Sequence, residues 1–366
     1  MNFKFQLGTA AFFGAGAVKN NPEVFGKYGT KAFIVTGPRS GQESGALDDV
    51  KRVLQLMDIT YSVFDKIENN PSLDNVEAAG KAAQACEADL IIGIGGGSPL
   101  DAAKAVAVLA VNDISPIELF TNKFTAAPLP VIAIPTTAGT GSEVTPYSIL
   151  TRPDKQTKMS FGNEDTIPKA AFLDARYTAS ASYEVTVNTA VDALSHAVEG
   201  YLSRRSTPVS DLLALEAIRI FGGCAAILAE NKLDFDAREQ LLYASTLGGM
   251  VIAQTGTTIV HGLGYSLTFF KGLPHGLANG LLMQEYFKYN YPSARNKIDR
   301  VIQELGLTSI DEFGSLVENL MPTKLKLSAE EMQKFAELAM QQRSTSYNIR
   351  EVQQEHLVEI LGRCFG

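Results

Sequence analysis

The stretch LIIGIGGGSPLDAAKAVA, residues 90–107, runs from an apolar segment through a glycine cluster into a helical pattern. Ser98 suits an N-cap and Pro99 suits the first helical position, so a helix is predicted to begin there. The glycines before it leave backbone N–H groups open at the helix N-terminus, where phosphate oxygens bind well. A tight turn that needs glycine only for its positive φ angles is the alternative. We interpret the stretch as a strand, a phosphate-binding turn and a helix.

The glycine cluster differs from the two common phosphate-binding motifs. Gly93-x-Gly95-x-x-Ser98 lacks the third glycine of the dinucleotide fingerprint, and no acid ends a second strand about twenty residues on. The Gly-Lys-Ser/Thr ending of a P-loop is missing as well. A dinucleotide bound here must therefore have its ribose recognised elsewhere.

Outward from this stretch, short β-rich runs alternate with helical patterns, which predicts a parallel sheet covered by helices on both faces. After about residue 178 the β-rich runs stop and apolar residues recur at helical spacing. We predict an α/β nucleotide-binding domain at 1–178, an all-α domain at 179–366, and small-molecule chemistry in a cleft between them. The predicted strands lie at 31–37, 59–64, 88–97, 128–137 and 170–174.

Composition argues against several partners and compartments. The 366 residues include 32 Lys and Arg against 40 Asp and Glu, and this net charge of −8 argues against nucleic acid or an anionic membrane as partner. Three widely spaced cysteines make no disulfide framework and indicate a reducing compartment. No apolar run approaches the roughly eighteen residues that span a bilayer. Because the N-terminal segment is also a poor signal peptide, we expect a cytoplasmic protein.

A second glycine-bearing loop, IPTTAGTGSEVT at residues 134–145, follows another predicted strand. Several hydroxyl side chains and two glycines emerge together at the carboxyl end of that strand. Ligands of open α/β sheets lie at this edge. Two such loops on one sheet favour nucleotide binding.

The segment VDALSHAVEG places Asp192 and His196 four residues apart, on one face of a helix. In isolation such a pair is an incidental ion pair. His261 and His275 lie among glycine and apolar residues in the same half, whereas His356 lies among acids and is interpreted as a surface residue. One carboxylate oxygen and three imidazole nitrogens would suit Fe²⁺ or Zn²⁺. Spacing alone leaves open whether these side chains meet.

Four segments together resemble the iron-containing (group III) alcohol dehydrogenases, in order and at family spacing over essentially the whole chain: GIGGGSPLDAAKAVA, PTTAGTGSEVT, DALSHAVEGYLS and HGLGYSLTFFKGLPHGLANG. The resemblance implies an α/β nucleotide domain and a helical domain, in an architecture like that of dehydroquinate synthase. It also implies Fe²⁺, with Zn²⁺ or another divalent metal in some relatives, NAD or NADP as cofactor, and a homo-oligomer, for which we expect a homodimer. The metal ligands that it implies are Asp192, His196, His261 and His275.

The resemblance also implies a set of cofactor-binding residues. Asn70 and Lys158 match positions that reach the cofactor. Those that match the pyrophosphate site are Gly95, Gly96, Gly97, Ser98 and Asp101. Those that match the ribose and nicotinamide end are Thr136, Thr137, Thr140, Ser142 and Thr145.

Two departures from the family pattern concern function. Many relatives carry an acid after the IVT strand, where this chain has Gly37, and an acid there would repel a 2′-phosphate. Arg39 and Ser40 follow, and arginine pairs well with phosphate, so we expect NADP(H) to be used at least as well as NAD(H). The alternative is a plain turn with Arg39 directed to water. Relatives also often carry a histidine where this chain has Tyr265, and a proton-relay role for Tyr265 is the corresponding hypothesis.

The expected reaction is reversible hydride transfer between a small primary alcohol or diol and the nicotinamide cofactor, with the metal acting as a Lewis acid. One alternative is an enzyme of the same fold that acts on a polyol or sugar phosphate, like glycerol dehydrogenase or dehydroquinate synthase. We see few basic residues near the histidine motifs to bind such a phosphate. A nucleotide-binding protein that has lost catalysis is the other alternative, and the intact ligand positions disfavour it.

Overall fold

The computed structural model describes residues 2–366, and the chain divides into two compact units. Leu7–Ser182 form an α/β unit, and Tyr183–Gly366 form a helical unit that also includes residues 2–6. This is the fold class that the sequence predicted. The predicted domain boundary places residues 2–6 in the first domain. In the structure, however, the Gln6 backbone N–H donates to Gln254 Oε1 at 3.2 Å, and Gln254 Nε2 donates to the Gln6 carbonyl at 2.8 Å. These bonds tie the segment to the helical unit.

The α/β unit contains eight strands, which are β1 (Ala10–Phe13), β2 (Lys31–Thr36), β3 (Thr60–Phe64), β4 (Leu90–Gly95), β5 (Val131–Pro135), β6 (Ser148–Arg152), β7 (Thr157–Phe161) and β8 (Ala170–Leu173). Six of them form a parallel sheet in the order β1–β8–β5–β4–β2–β3, and β6 and β7 form an antiparallel hairpin. A strand lies at each of the five predicted places. The sequence missed β1, a short edge strand, and the hairpin, whose strands carry mostly polar residues.

The helices of this unit are α1 (Ala17–Asn20), α2 (Glu23–Gly26), α3 (Ser40–Glu43), α4 (Ala46–Leu56), α5 (Leu73–Ala85) and α6 (Gly97–Leu109). Both faces of the sheet are covered, because alternate strand residues point to opposite sides. Ile34 of β2 packs in the core beside α4, whereas Phe33 and Val35 pack in the core beside α5 and α6. At Gly93 of β4 a Cβ atom would lie 2.9 Å from Ala103 Cβ, so glycine lets α6 pack directly on the central strand.

The helical unit contains α7 (Tyr183–Tyr201), α8 (Pro208–Ala229), α9 (Phe235–Thr255), α10 (Ile259–Lys271), α11 (His275–Glu304), α12 (Ile310–Leu320), α13 (Ala329–Met340) and α14 (Gln354–Phe365). Helix α7 packs against α8, α9 and α11, and α10 packs against α11. Helix α11 is kinked, with Pro292 inside it and non-helical backbone at Ala294. Helix α10 also contacts α7 near its amino-terminal end, where the Val260 N–H donates to Glu199.

Helix α8 corrects one expectation from the sequence. Its most apolar 18-residue window has a mean hydropathy of 1.9, so the helix is long and apolar enough to cross a membrane by length and composition, although the sequence predicted no such run. Asp211, Glu216 and Arg219 interrupt its apolar residues, which is why simple run length missed it. The helix packs against α7 and α9, and 44% of its most apolar window is buried. A helix in a protein core meets the same criterion, so this feature by itself does not indicate a membrane span.

Candidate metal and cofactor sites

Four side chains of the helical unit converge where three helices meet. Asp192 and His196 lie one turn apart on α7, His261 lies in the first turn of α10, and His275 is the first residue of α11. One ligand atom each of Asp192, His261 and His275 lie within 4.8 Å of one another. His196 Nε2 lies 3.0 Å from His261 Nε2. The structure therefore brings together the four residues that the sequence suggested as metal ligands.

The protonation of His261 favours a cation among these side chains. The Glu199 carboxylate contacts His261 Nδ1, which places the ring proton on Nδ1 and a lone pair on Nε2. His261 Nε2 lies 3.8 Å from Asp192 Oδ1 and 3.0 Å from His196 Nε2. Buried acceptor atoms that face one another are costly unless a cation neutralises them. One carboxylate oxygen and three imidazole nitrogens form a donor set that Fe²⁺ and Zn²⁺ both accept.

Glycines allow the three helices to approach one another at this point. A Cβ atom at Gly276, next to His275, would lie 1.7 Å from the carbonyl oxygen of Asn188 on α7. A Cβ atom at Gly264 on α10 would lie 2.1 Å from Asn279 Oδ1 on α11. The contact at Gly276 is with backbone and therefore requires glycine. A larger residue at position 264 would instead force the Asn279 side chain out of its present position beside the candidate ligands.

Glu199 is a site residue that the sequence analysis missed. It is fully buried, and its Oε1 accepts from the N–H and hydroxyl of Thr258 at 2.8 and 2.6 Å and from the N–H of Val260 at 3.0 Å. Burial raises the pKa of Glu199, but its interaction with His261 and the hydrogen bonds from Thr258 outweigh burial and hold that pKa below its ordinary value. The ionised carboxylate thus caps the N-terminus of α10 and orients His261. The sequence feature that could have identified Glu199 is its position three residues after His196, on the same side of the helix.

Asn279 is a second buried residue that the sequence analysis missed. Its Nδ2 donates to Asp192 Oδ1 at 2.9 Å and lies 3.2 Å from His261 Nε2 and 3.4 Å from His275 Nε2. The Asn279 side-chain N–H group therefore lies close to the ligand atoms of Asp192, His261 and His275. Asn279 lies one helical turn after His275, and that spacing was the signal in the sequence.

Tyr265 lies beside two of the candidate ligands. Its ring is buried and stacks on that of His275, with centroids 5.4 Å apart, and it meets the His261 ring edge-on at 6.2 Å. Its role as a proton relay stays a prediction. His356 lies outside the cluster, where its Nδ1 accepts from the Gln353 N–H at 3.2 Å and caps α14.

The two glycine-bearing loops of the α/β unit lie side by side, because β4 and β5 are neighbours in the sheet. Helix α6 begins in the first loop, so its open N–H groups lie at the edge of the sheet where ligands bind. A hydrogen bond from the Thr136 N–H to the Gly95 carbonyl at 2.9 Å joins the loops. The side chains of Thr137 and Thr140 occupy the space that a Cβ atom at Gly96 or Gly97 would enter, at 3.2 and 2.6 Å from such an atom, so these glycines let the two loops lie close together.

Asn70, Ser98 and Lys158 are joined by hydrogen bonds. The Asn70 N–H donates to Ser98 Oγ at 3.0 Å, and Lys158 Nζ donates to Asn70 Oδ1 at 2.6 Å. Asn70 has a φ of 56°, a left-handed conformation that asparagine tolerates better than most residues. The structure therefore groups these three proposed cofactor residues at the N-terminus of α6.

Asp101 and Ser142 connect α6 to the second loop. Ser142 Oγ donates to Asp101 Oδ1 at 2.5 Å, and the Ile149 N–H donates to Asp101 Oδ2 at 3.1 Å. Burial raises the pKa of Asp101, and the charge of Lys104 and the two hydrogen bonds oppose that rise. The sequence analysis missed Lys104, whose Nζ donates to Ser142 Oγ at 2.7 Å and to Thr145 Oγ1 at 3.4 Å. The sequence feature that could have identified Lys104 is that it is the single lysine in a helix of mostly small apolar residues.

The segment after β2 is a third loop at the same edge, since β2 pairs with β4. Gly37 is buried, and a Cβ atom there would lie 3.3 Å from Ser40 Oγ and 3.6 Å from the Ile67 carbonyl oxygen. Arg39 is exposed, and within residues 2–366 no acidic side chain pairs with it. The guanidinium of Arg39 is therefore available to an anion.

Each of the four candidate ligands should be necessary for metal binding. Replacing Asp192, His196, His261 or His275 by Ala removes one donor atom, so we expect each variant to lose most of its divalent metal, measured by inductively coupled plasma mass spectrometry. His356→Ala is the matched control and should keep its metal. Full metal content in His261→Ala would contradict the assignment.

Metal affinity should also depend on Glu199. Glu199→Gln keeps the size of the side chain but removes the charge that faces His261 Nδ1, so we expect roughly 10–100-fold weaker metal binding. Competition with a chelator of known affinity measures the change. Glu216→Gln, at an exposed glutamate on α8, should bind metal as the unmodified protein does. Equal affinity in both variants would mean that Glu199 has no influence on the metal.

Comparison with known proteins shows the family. The family model described as iron-containing alcohol dehydrogenase matches residues 8–175, and that of the C-terminal domain of the Fe-containing alcohol dehydrogenase family matches residues 186–365. Alcohol dehydrogenase 4 of Saccharomyces cerevisiae is 32% identical over 84% of this chain and 81% of its own length. Lactaldehyde reductase of Escherichia coli is 29% identical over 97% of both chains. The NADPH-dependent butanol dehydrogenase of Clostridium saccharobutylicum is 27% identical over 98% of this chain and 96% of its own length.

Solved structures agree with the family models. An iron-containing alcohol dehydrogenase of Thermotoga maritima is 41% identical, with a TM-score of 0.93 over 100% of this chain and 99% of that one. Sulfoacetaldehyde reductase of Bifidobacterium kashiwanohense, solved in complex with NAD⁺, is 26% identical, with a TM-score of 0.88 over 100% of this chain and 99% of that one. The chain therefore belongs to the iron-containing alcohol dehydrogenase family and is an enzyme of alcohol and aldehyde oxidation–reduction.

Proposed function

We propose that this enzyme catalyses reversible hydride transfer between a small primary alcohol or diol and a nicotinamide cofactor, with Fe²⁺ as its metal and NADP(H) used at least as well as NAD(H). The observation that carries the proposal is the convergence of one carboxylate and three imidazoles in the helical unit. The substrate class is supported by relatives that are named for butanol and for lactaldehyde.

Asp192, His196, His261 and His275 would hold a divalent cation, which would supply Lewis acidity toward the substrate oxygen, and the nicotinamide cofactor would supply the hydride chemistry. Glu199 keeps the ring proton of His261 on Nδ1, so that Nε2 presents its lone pair to the other ligands. Asn279 donates to Asp192 and orients its carboxylate. Both residues hold the donor atoms in one arrangement, which limits reorganisation during the reaction.

The cofactor is held by the α/β unit in this proposal. The N–H groups at the start of α6 bind the pyrophosphate, because they lie at a helix N-terminus with glycines that admit close approach. Asn70 and Lys158 reach the cofactor, and the hydroxyls of the loop at 136–145 line its ribose and nicotinamide end. The contacts between the two loops support this assignment.

A proton must leave the alcohol during oxidation, and Tyr265 is our candidate for its relay. Its ring stacks on His275, whose side chain is 22% exposed, so the pair connects the ligand cluster with solvent. Tyr265→Phe should slow alcohol oxidation if the phenol hydroxyl carries that proton.

We also propose a cytoplasmic homo-oligomer, and a homodimer in particular, without nucleic-acid or membrane partners. The net charge of −8 and three cysteines that form no disulfide support the compartment and the absence of these partners. The family resemblance supports the dimer.

Loading the purified protein with Fe²⁺ without oxygen tests the proposed reaction. We expect oxidation of NADPH with small aldehydes and reduction of NADP⁺ with the matching primary alcohols, followed by nicotinamide absorbance. His275→Ala should abolish both directions, and His356→Ala should change neither. Turnover confined to sugar phosphates or polyols would instead support the alternative enzyme of the same fold.

Cofactor preference is tested at Gly37. Gly37→Asp adds a carboxylate that repels a 2′-phosphate, so the ratio of kcat/KM for NADP(H) to that for NAD(H) should fall by roughly tenfold or more, equivalent to about 1.4 kcal/mol. Gly37→Ala controls for steric crowding against Ser40 and should change the ratio little. A native preference for NAD(H) of about tenfold or more would contradict the proposal, as would undiminished use of NADP(H) by Gly37→Asp.

A further inference from the structure

Lys104 is a fully buried lysine to which the proposed chemistry assigns no part. It lies on α6, and its side chain has no exposed surface. Its Nζ donates to Ser142 Oγ at 2.7 Å, to the Tyr147 carbonyl oxygen at 2.6 Å and to Thr145 Oγ1 at 3.4 Å. An ammonium has three N–H donors, so these three acceptors use all of them.

All three acceptors of Lys104 belong to one segment, residues 142–147, which contains the end of the second cofactor loop. Helix α6 carries the first cofactor loop at its N-terminus. Asp101, one turn before Lys104, accepts from the same Ser142 hydroxyl. Lys104 and Asp101 therefore set the distance between the hydroxyls of one loop and the N–H groups of the other.

A charged lysine at this depth depends on nearby carboxylates. Burial lowers the pKa of Lys104 to about 8, and the charges of Asp101 and Glu143 oppose that shift. The positive charge of Lys158 on β7 lowers the pKa of Asp101. Strands β4 and β5 carry no charged side chain. The charged side chains on the other elements packed against α6 interact with partners other than Lys104 or lie at the surface. The ion pairs are Glu77 with Lys81, Lys31 with Glu87 and Arg152 with Asp154, and Glu118 accepts a hydrogen bond from Ser115. Glu164 and Asp165 are exposed.

We propose that Lys104 is a positioning residue for the nicotinamide cofactor, and that cofactor affinity falls when its ammonium loses a proton. The inference rests on the proposed function, because it assumes that these two loops bind the cofactor. Loss of the proton turns one N–H donor into a lone pair that faces an acceptor, which loosens the segment 142–147. It also removes one positive charge that acts on the carboxylates of Asp101 and Glu143, close to the proposed site of an anionic pyrophosphate.

The sign of the pH dependence follows from the lowered pKa. Lys104 is charged below about pH 8 and neutral above it, so affinity is full at neutral pH and is lost across roughly pH 7–9. A lysine with an ordinary pKa would produce no change in this range.

Calorimetric titration of the metal-loaded enzyme with NADPH between pH 7 and 9.5 tests the inference. The dissociation constant of the unmodified enzyme should rise with a midpoint near pH 8. Lys104→Met should bind about tenfold more weakly at pH 7 with no such rise, and its metal content should be normal. Lys81→Met, at an exposed lysine on α5, should reproduce the unmodified profile.

The outcomes separate this inference from the proposed function. A dissociation constant of the unmodified enzyme that is flat from pH 7 to 9.5 overturns the inference, even if Lys104→Met does not fold. The same rise with pH in Lys104→Met overturns it as well, since another group would then titrate. Failure of the metal-loaded enzyme to bind NADPH or NADH at any pH overturns the proposed function itself.

Discussion

Close backbone contact between helices is the constraint on which the metal-ligand cluster depends. Its side chains come from α7, α10 and α11, which are separated in the chain by other elements. The space between α11 and α7 admits no Cβ atom at Gly276, so the neighbouring ligand His275 lies next to a close contact of the two helices. Gly248 on α9 allows a similar approach to α7, since a Cβ there would lie 3.1 Å from the Ala193 carbonyl oxygen. The arrangement of donor atoms thus follows from helix packing and not from loops.

Buried carboxylates in both units accept hydrogen bonds from neighbouring elements. Glu199 on α7 accepts backbone N–H groups at the start of α10, including that of Thr258, and Asp101 on α6 accepts the Ser142 hydroxyl and the Ile149 N–H. A buried network of this kind is unfavourable when only partly satisfied. Each carboxylate therefore selects one relative position for the two elements that it joins, and each of those elements carries residues of a candidate site.

Features that depend on local pattern could be predicted from the sequence, and features that depend on burial could not. The four interior strands β2, β4, β5 and β8 are runs of mostly buried apolar residues, and the spacing of Asp192 and His196 placed both on one helical face. Glu199 and Lys104 were missed because a charged residue in a helix is usually solvated, and only the tertiary structure shows that both are fully buried. The position of residues 2–6 depends on a contact across 248 residues, which no local pattern contains.

The pairing of β1 with β8 has a consequence for how the chain folds during synthesis. Ala10 pairs with Ala170, so the first strand acquires its partner only after nearly the whole α/β unit has left the ribosome. Gln6 can form its hydrogen bonds with Gln254 only after a still longer part of the chain has been synthesised. At roughly 5–20 residues per second, the amino-terminal segment remains without its native contacts for many seconds. The strands β2, β3, β4 and β5 are complete earlier in synthesis, so the nascent sheet grows from its β3 edge toward β8, and its oldest strand, β1, joins last at the opposite edge.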